Sequence, residues 1–200
     1  EELIIAPLIR MTDAYDAKLH GSGREDIDAL MLGDGRPFVV EALKPKKRNI
    51  DLHVLKKEIN KTAEGKIEVS ELRLSSKQEV VQIKKTSGRK TYRALVECKG
   101  ITKEDIEKLK QKFQDILIPQ KTPQRVLHRR ADKTRKRKVI STKYSLIDKD
   151  HFEATVIAEA GMYIKELISG DEKRTEPSFT GVIGKQCTCV ELDVIGVEND

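Results

Sequence analysis

The sequence predicts an α+β fold: a mixed, mostly antiparallel central sheet with flanking helices. Strand-like segments outnumber helical ones, they cluster as hairpins, and no internal repeat or low-complexity segment divides the chain. In order, Leu3–Met11 is an apolar run interrupted by Pro7, which confines it to an edge strand. A polar link, Thr12–Lys18, leads to His20–Asp28, where Gly21 and Gly23 stand just before Arg24 and three carboxylates. Ile27–Leu32 and Pro37–Leu43 are apolar runs on either side of Gly33-Asp34-Gly35-Arg36, a hairpin signal. Lys44–Arg48 is a basic exit loop. Asp51 caps a helix running to Asn60, with Leu52, Leu55 and Ile59 on one face.

Lys66–Leu74 alternates as a strand, and Ser76–Lys85 reads as a short helix. Lys84–Lys90 is a basic loop hinged at Gly88. Thr91–Cys98 is a strand with Tyr92, Ala94, Val96 and Cys98 on one side. Thr102 caps a second helix, with Asp105 in the capping-box position and Ile106, Leu109 and Phe113 facing inward. A short strand, Asp115–Ile118, precedes a basic stripe. Val139–Ile147 and Phe152–Glu159 pair around Asp148-Lys149-Asp150. Met162–Ser169 is a short helix, Arg174–Gly184 a polar connection, and Cys187–Val194 closes the sheet.

A chain of 200 residues suits one domain, or one with a small appendage. The absence of Trp argues against extended base-stacking platforms. The net charge is +6, but Lys121–Lys138 alone carries nine Lys or Arg against one Asp, so the remainder is near neutral. A basic stripe on a neutral body is either a nucleic-acid footprint or a plain solvated charge run. Cys98, Cys187 and Cys189 supply no second pair to close a zinc site. Their odd number and the lack of a secretory leader point to a reducing, cytoplasmic setting. No apolar run is long enough to span a membrane. A start at Glu1 suggests a piece of a longer protein.

The acidic glycine loop admits two readings: a tight turn that delivers one carboxylate to the mouth of a strand, or an ordinary solvated turn. Tyr92 is a core tyrosine or a site residue. Lys165, inside the apolar turn Tyr163-Ile164-Lys165-Glu166-Leu167, either snorkels to solvent or meets a carboxylate. Leu192 alternates with Val190 and Val194 as plain core. The chain has no phosphate loop and no His-Glu-x-x-His; the four histidines lack ligand spacing, and Gly21-Ser22-Gly23 is not a nucleophile elbow. Two chemistries remain: one that uses a single carboxylate, nucleic-acid contacts and no metal, and a metal-assisted phosphoryl transfer using Asp26 and Asp28. The second needs a break in the strand pattern, because alternate residues point to opposite faces.

Gly23-Arg24-Glu25-Asp26 resembles the Gly-Arg-x-Asp signature of pseudouridine synthases. Continued through Ile27-Asp28 and Gly35-Arg36-Pro37-Phe38, it resembles the archaeal-type tRNA pseudouridine(54/55) synthases. Lys90-Thr91-Tyr92-Arg93-Ala94-Leu95, His128-Arg129-Arg130-Ala131-Asp132 and Tyr163-Ile164-Lys165-Glu166-Leu167 extend the match in order over nearly the whole chain. The resemblance implies the pseudouridine synthase fold, one catalytic domain over 1–200, and no N-terminal THUMP-containing RNA-binding region in this chain. It also implies isomerisation of uridine in the TΨC arm of tRNA without cofactor or metal.

By resemblance, Asp26 is the catalytic aspartate and Tyr92 stacks under the target base and helps remove the C5 proton. Lys165 pairs with the aspartate and Leu192 walls the pocket. Arg24 holds phosphate or fills the gap left by the base. Arg89, from the loop Lys84–Lys90, and Arg129 and Arg130, from the stripe, bind RNA, with Lys44–Arg48 as a second grip. A noncatalytic RNA-binding domain on the same fold is the alternative.

Overall fold

The structure, a computed structural model, describes residues 1–23, 25–85 and 88–198. Its elements are α1 (Glu2–Thr12), β1 (Asp16–Gly21), β2 (Leu30–Met31), β3 (Phe38–Leu43), α2 (Leu52–Ala63), α3 (Lys77–Lys85), β4 (Arg89–Glu97) and α4 (Lys103–Lys112). They continue with β5 (Ile116–Lys121), β6 (Thr134–Leu146), β7 (His151–Glu159), α5 (Ile164–Ser169), α6 (Phe179–Ile183) and β8 (Thr188–Glu198). A 3-10 turn, Gln124–Val126, lies between β5 and β6. Two units result: Glu1–Arg24 with Arg36–Thr86, and Glu25–Gly35 with Ser87–Asp200.

The first unit pairs β1 with β3 antiparallel, from Asp16 opposite Leu43 to Gly21 opposite Phe38. Its core joins Leu8, Ala17, Leu55, Ile59 and Val69. The edge strand expected at Leu3–Met11 is the helix α1 instead. Ile4, Leu8 and Thr12 recur at helical spacing, and that face outweighs the backbone bond lost at the buried Pro7. The Thr12 hydroxyl adds a bond to the Leu8 carbonyl at 2.7 Å. Asp51 caps α2 as expected, accepting from the His53 and Val54 amides at 2.8 and 3.2 Å. The strand expected at Lys66–Leu74 does not form. The Asn60 side chain donates to the Val69 carbonyl at 3.0 Å and accepts from the Val69 amide at 2.8 Å. It thereby satisfies both backbone groups that a neighbouring strand would have used.

The second unit holds a six-stranded sheet in the order β2-β8-β4-β7-β6-β5, antiparallel except for the parallel β2–β8 pair. This is the mixed, mostly antiparallel sheet that the alternation predicts. Tyr92, Ala94 and Val96 of β4 and Phe152, Ala154, Val156 and Ala158 of β7 form its buried face. Side chains from α4, α5 and α6 complete that core, with Leu109, Phe113, Leu167 and Phe179 fully covered. The capping box at Thr102 and Asp105 is present. The polar connection expected at Arg174–Gly184 contains α6, whose Phe179 meets the Phe113 ring edge-on at 4.9 Å. The second part of the basic stripe, Thr134–Lys138, belongs to β6 and pairs with β5.

The hairpin expected at Gly33–Arg36 is absent: β2 pairs with β8, and β3 with β1. Asp34-Gly35 is therefore a crossing between units. Gly33 adopts φ +65, and a Cβ there would lie 2.6 Å from the Ile195 carbonyl oxygen. That carbonyl belongs to a bulge, since Thr91 faces Gly196 while Tyr92 faces Val194, leaving Ile195 over. A second shift leaves Val190 unpaired between Cys189 and Glu191. Val190 is accordingly exposed, whereas Leu192 and Val194 are buried, so the expected three-residue core pattern holds for two. Gly33→Ala is expected to destabilise the chain by about 1–3 kcal/mol, from combined backbone strain and clash. Urea denaturation reads this, and an unchanged midpoint would contradict the close approach.

Candidate active site

The expected site residues that the structure describes lie in the second unit, which also contains the acidic loop Glu25–Ala29. This loop enters β2, and its Ala29 amide donates to the Asp26 carbonyl at 3.1 Å. Three carboxylates on the loop each meet a cation from a different segment. Glu25 is ion-paired to Lys90, which is buried on the same face of β4 as Tyr92. Asp26 accepts a two-pronged fork from Arg125, Nη1 to Oδ1 at 2.7 Å and Nη2 to Oδ2 at 2.9 Å. Asp28 accepts from Lys165 Nζ at 2.5 Å. The acidic part of the loop is therefore anchored by three ion pairs, although Ile27 between them is fully exposed.

Tyr92 is 3% exposed. Burial, then the charges of Glu25 and Asp26, push its hydroxyl well above the usual range, so it stays neutral beside the two carboxylates. The hydrogen bond from Lys165 holds the Asp28 carboxyl below its ordinary value. Burial opposes the charge on Arg125, but Glu166 and Asp26 outweigh it and raise the guanidinium pKa further. Burial pushes the Cys189 thiol up to about 11, so it is no thiolate nucleophile at neutral pH.

Lys165 departs from expectation: it grips Asp28, and Arg125 grips Asp26. Leu192 is buried on β8, opposite Ala94. Arg89 is exposed at the start of β4, and Arg129 is exposed just after the 3-10 turn. Arg130 is exposed and donates to the Tyr163 hydroxyl at 3.1 Å. Arg24, and Thr86 and Ser87 of the expected Lys84–Lys90 loop, lie outside the described residues. Lys84 and Lys85 end α3, and Lys90 is buried and paired with Glu25. Among the described residues, no group of three or more His, Cys, Asp or Glu side chains is arranged to hold a metal.

Arg125 carries no local signal, and Glu166 shows only as a charge in an apolar turn. Arg125 is one cation among nine in the stripe, and its carboxylate partners are 99 and 41 residues away. The buried Gln120 of β5 sets the start of α5, on which Lys165 and Glu166 stand. Its side chain accepts from the Tyr163 amide at 2.9 Å and donates to the Tyr163 carbonyl at 3.0 Å and the Thr175 hydroxyl at 3.3 Å. Gln120→Leu leaves the Tyr163 amide without its acceptor, while the Tyr163 carbonyl keeps its bond from the Leu167 amide, so a stability loss of roughly 1–3 kcal/mol is expected. Thermal denaturation reads it, and an unchanged midpoint would show that α5 is positioned by other means.

Comparison with known proteins shows the family of the chain. A family model described as "Pus10, C-terminal" matches residues 1–198. The tRNA pseudouridine synthase Pus10 of Methanocaldococcus jannaschii is 50% identical over 201 residues, covering 100% of this chain and 44% of that protein. The Pus10 of Pyrococcus furiosus is 48% identical over 181 residues, covering 90% of this chain and 46% of that protein. The chain thus spans about half the length of these relatives. Among solved structures, a chain of a Cbf5-Nop10-Gar1 complex matches 97% of this chain and 44% of its own length, with TM-score 0.57 and 18% identity, a likeness of fold. The chain belongs to the family of Pus10 C-terminal regions.

Proposed function

We propose that residues 1–200 act as the catalytic domain of a cytoplasmic tRNA-modifying enzyme. The reaction isomerises uridine to pseudouridine in the TΨC arm, at position 54, position 55 or both, without a cofactor. One observation carries the reading: Asp26, a carboxylate with a fixed orientation, lies close enough to the buried hydroxyl of Tyr92 for its charge to help keep that hydroxyl neutral. The target uridine leaves the base stack at a cost of a few kcal/mol, which contacts in the site offset. Asp26 attacks the nucleotide or takes a sugar proton, and the bond from C1′ to N1 breaks. The base turns, C1′ bonds to C5, the C5 proton departs with help from Tyr92, and N1 ends protonated. No atom is gained or lost overall. Leu192 walls the site, and Arg24 holds phosphate or fills the vacated place in the stack.

Incubation with unmodified tRNA, followed by mapping of pseudouridine, tests the proposal. Product at 54 or 55, made equally well in EDTA, supports it. RNA bound without product indicates the noncatalytic alternative. A metal site shared by Asp26 and Asp28 is disfavoured because each carboxylate already carries its own protein cation.

Arg89, Arg129, Arg130 and the Lys44–Arg48 loop supply phosphate contacts; within that loop, Lys44 Nζ stands 5.7 Å from the exposed Tyr15 ring. Binding is expected to weaken steeply with salt, log K falling linearly with log salt at a slope near −0.7 to −0.9 per phosphate contact. Filter binding at several salt concentrations reads the slope, and a flat line would remove the phosphate contacts from the account.

A further inference from the structure

Glu166 is a buried carboxylate to which the proposed chemistry gives no task. It is 4% exposed, on the short helix α5, whose Ile164, Leu167 and Ile168 are also buried. A buried charge is retained only with a partner. Its partner is Arg125, which donates from Nε to Oε1 at 2.7 Å and from Nη2 to Oε2 at 3.2 Å. The adjacent edge of the same guanidinium, which shares Nη2, donates to both oxygens of Asp26. One flat cation thus joins a buried carboxylate to a reactive one. The 3-10 turn beneath it is tied down separately, since the Gln124 amide donates to Asp171 at 3.0 Å and the Gln124 side chain to Glu172 at 2.8 Å.

We propose that Glu166 is a positioning residue that acts on Asp26 through Arg125. The inference rests on the isomerase reading above. Two consequences follow from the geometry. Glu166 fixes the plane of the guanidinium, and the fork then fixes the plane of the Asp26 carboxylate to within the tolerance that reaction demands. Glu166 also shares the single positive charge, so that the trio keeps a net charge of −1. The surplus negative charge lies on the exposed side, at Asp26, where it favours attack or proton removal. A lysine at position 125 would supply the charge but not the two-edged plane.

The test uses the full-length protein and unmodified tRNA under single-turnover conditions. Glu166→Gln keeps shape and one acceptor but loses the charge. It is expected to slow isomerisation 10- to 100-fold while the Kd for tRNA stays within about twofold, since Glu166 is buried and phosphate contacts come from exposed cations. In an Arg125→Met background, the same Glu166→Gln change is expected to slow the reaction no further. A merely structural Glu166 would instead give independent, multiplying losses in the double variant, or a loss confined to stability, and either result overturns the inference. Unchanged single-turnover rate in Glu166→Gln also overturns it, while wild-type product leaves the isomerase reading standing. Absence of pseudouridine with the wild-type protein overturns the isomerase reading, and this inference with it.

Discussion

Asp26→Asn is expected to lower the rate of pseudouridine formation by roughly 10³-fold or more while leaving tRNA affinity nearly unchanged. The amide has almost the shape of the carboxylate, so the loop should keep its path. It cannot act as a charged nucleophile or as a base, and its NH₂ faces the donors of Arg125 in place of an acceptor. On the proposed reading, affinity for RNA is carried by phosphate contacts from other segments, which the substitution does not touch. Single-turnover assays paired with filter binding separate the two quantities. Full activity in the variant would remove Asp26 from the chemistry, and loss of rate together with loss of binding would point to a disrupted loop.

Arg125→Met has the second largest expected effect, and it shows in both stability and rate. Breaking a buried ion pair from one side costs about 3–5 kcal/mol when both partners are buried. Arg125 is 36% exposed at its side chain, so solvent screens part of that loss and roughly 2 kcal/mol is expected. The stranded carboxylate of Glu166 dominates this cost, so adding Glu166→Gln should recover part of the stability. The rate is expected to fall about 100-fold, because Asp26 loses the fork that orients it. Urea titrations and initial rates read both quantities. A wild-type rate in Arg125→Met would show that Lys165, now on Asp28, is able to serve Asp26 as well.

Much of the fold is legible wherever a local rule and the tertiary environment agree. The alternation of Thr91–Cys98 became β4, the side chains of Asp51 and Thr102 cap their helices, and the β6–β7 hairpin turns at Asp148–Asp150. Errors arise where a distant partner decides. Pro7 suggested an edge strand, but packing of Leu8 against the first unit's core favours a helix. Ile67 and Val69 alternate as in a strand, yet the Asn60 side chain occupies the backbone of Val69. Asp34-Gly35 has the chemistry of a hairpin turn, but β2 finds its partner in β8, more than 150 residues away.

The site divides in the same way. Asp26 and its glycine turn are contiguous, so the motif exposes them. Tyr92 sits on a strand whose period is readable. The cation of Asp26 was expected to be Lys165 from resemblance alone; the adjacent carboxylates Asp26 and Asp28 and the cations Arg125 and Lys165 could be matched in two ways, and only coordinates distinguish them. Glu166 is a charged residue in a short apolar helix, a visible irregularity whose partner is invisible without the fold.

The central claim is that this chain exchanges a carbon–nitrogen bond for a carbon–carbon bond at a uridine held beside Asp26 and Tyr92. Release of tritium to water from tRNA labelled at C5 of its uridines measures that step directly, because C5 loses its hydrogen only when the new bond to C1′ is made. The account predicts tritium release matching one or two uridines per tRNA, insensitive to EDTA and lost in Asp26→Asn. Intact tRNA that binds but releases no tritium, or tRNA that is cut without releasing it, would contradict the account.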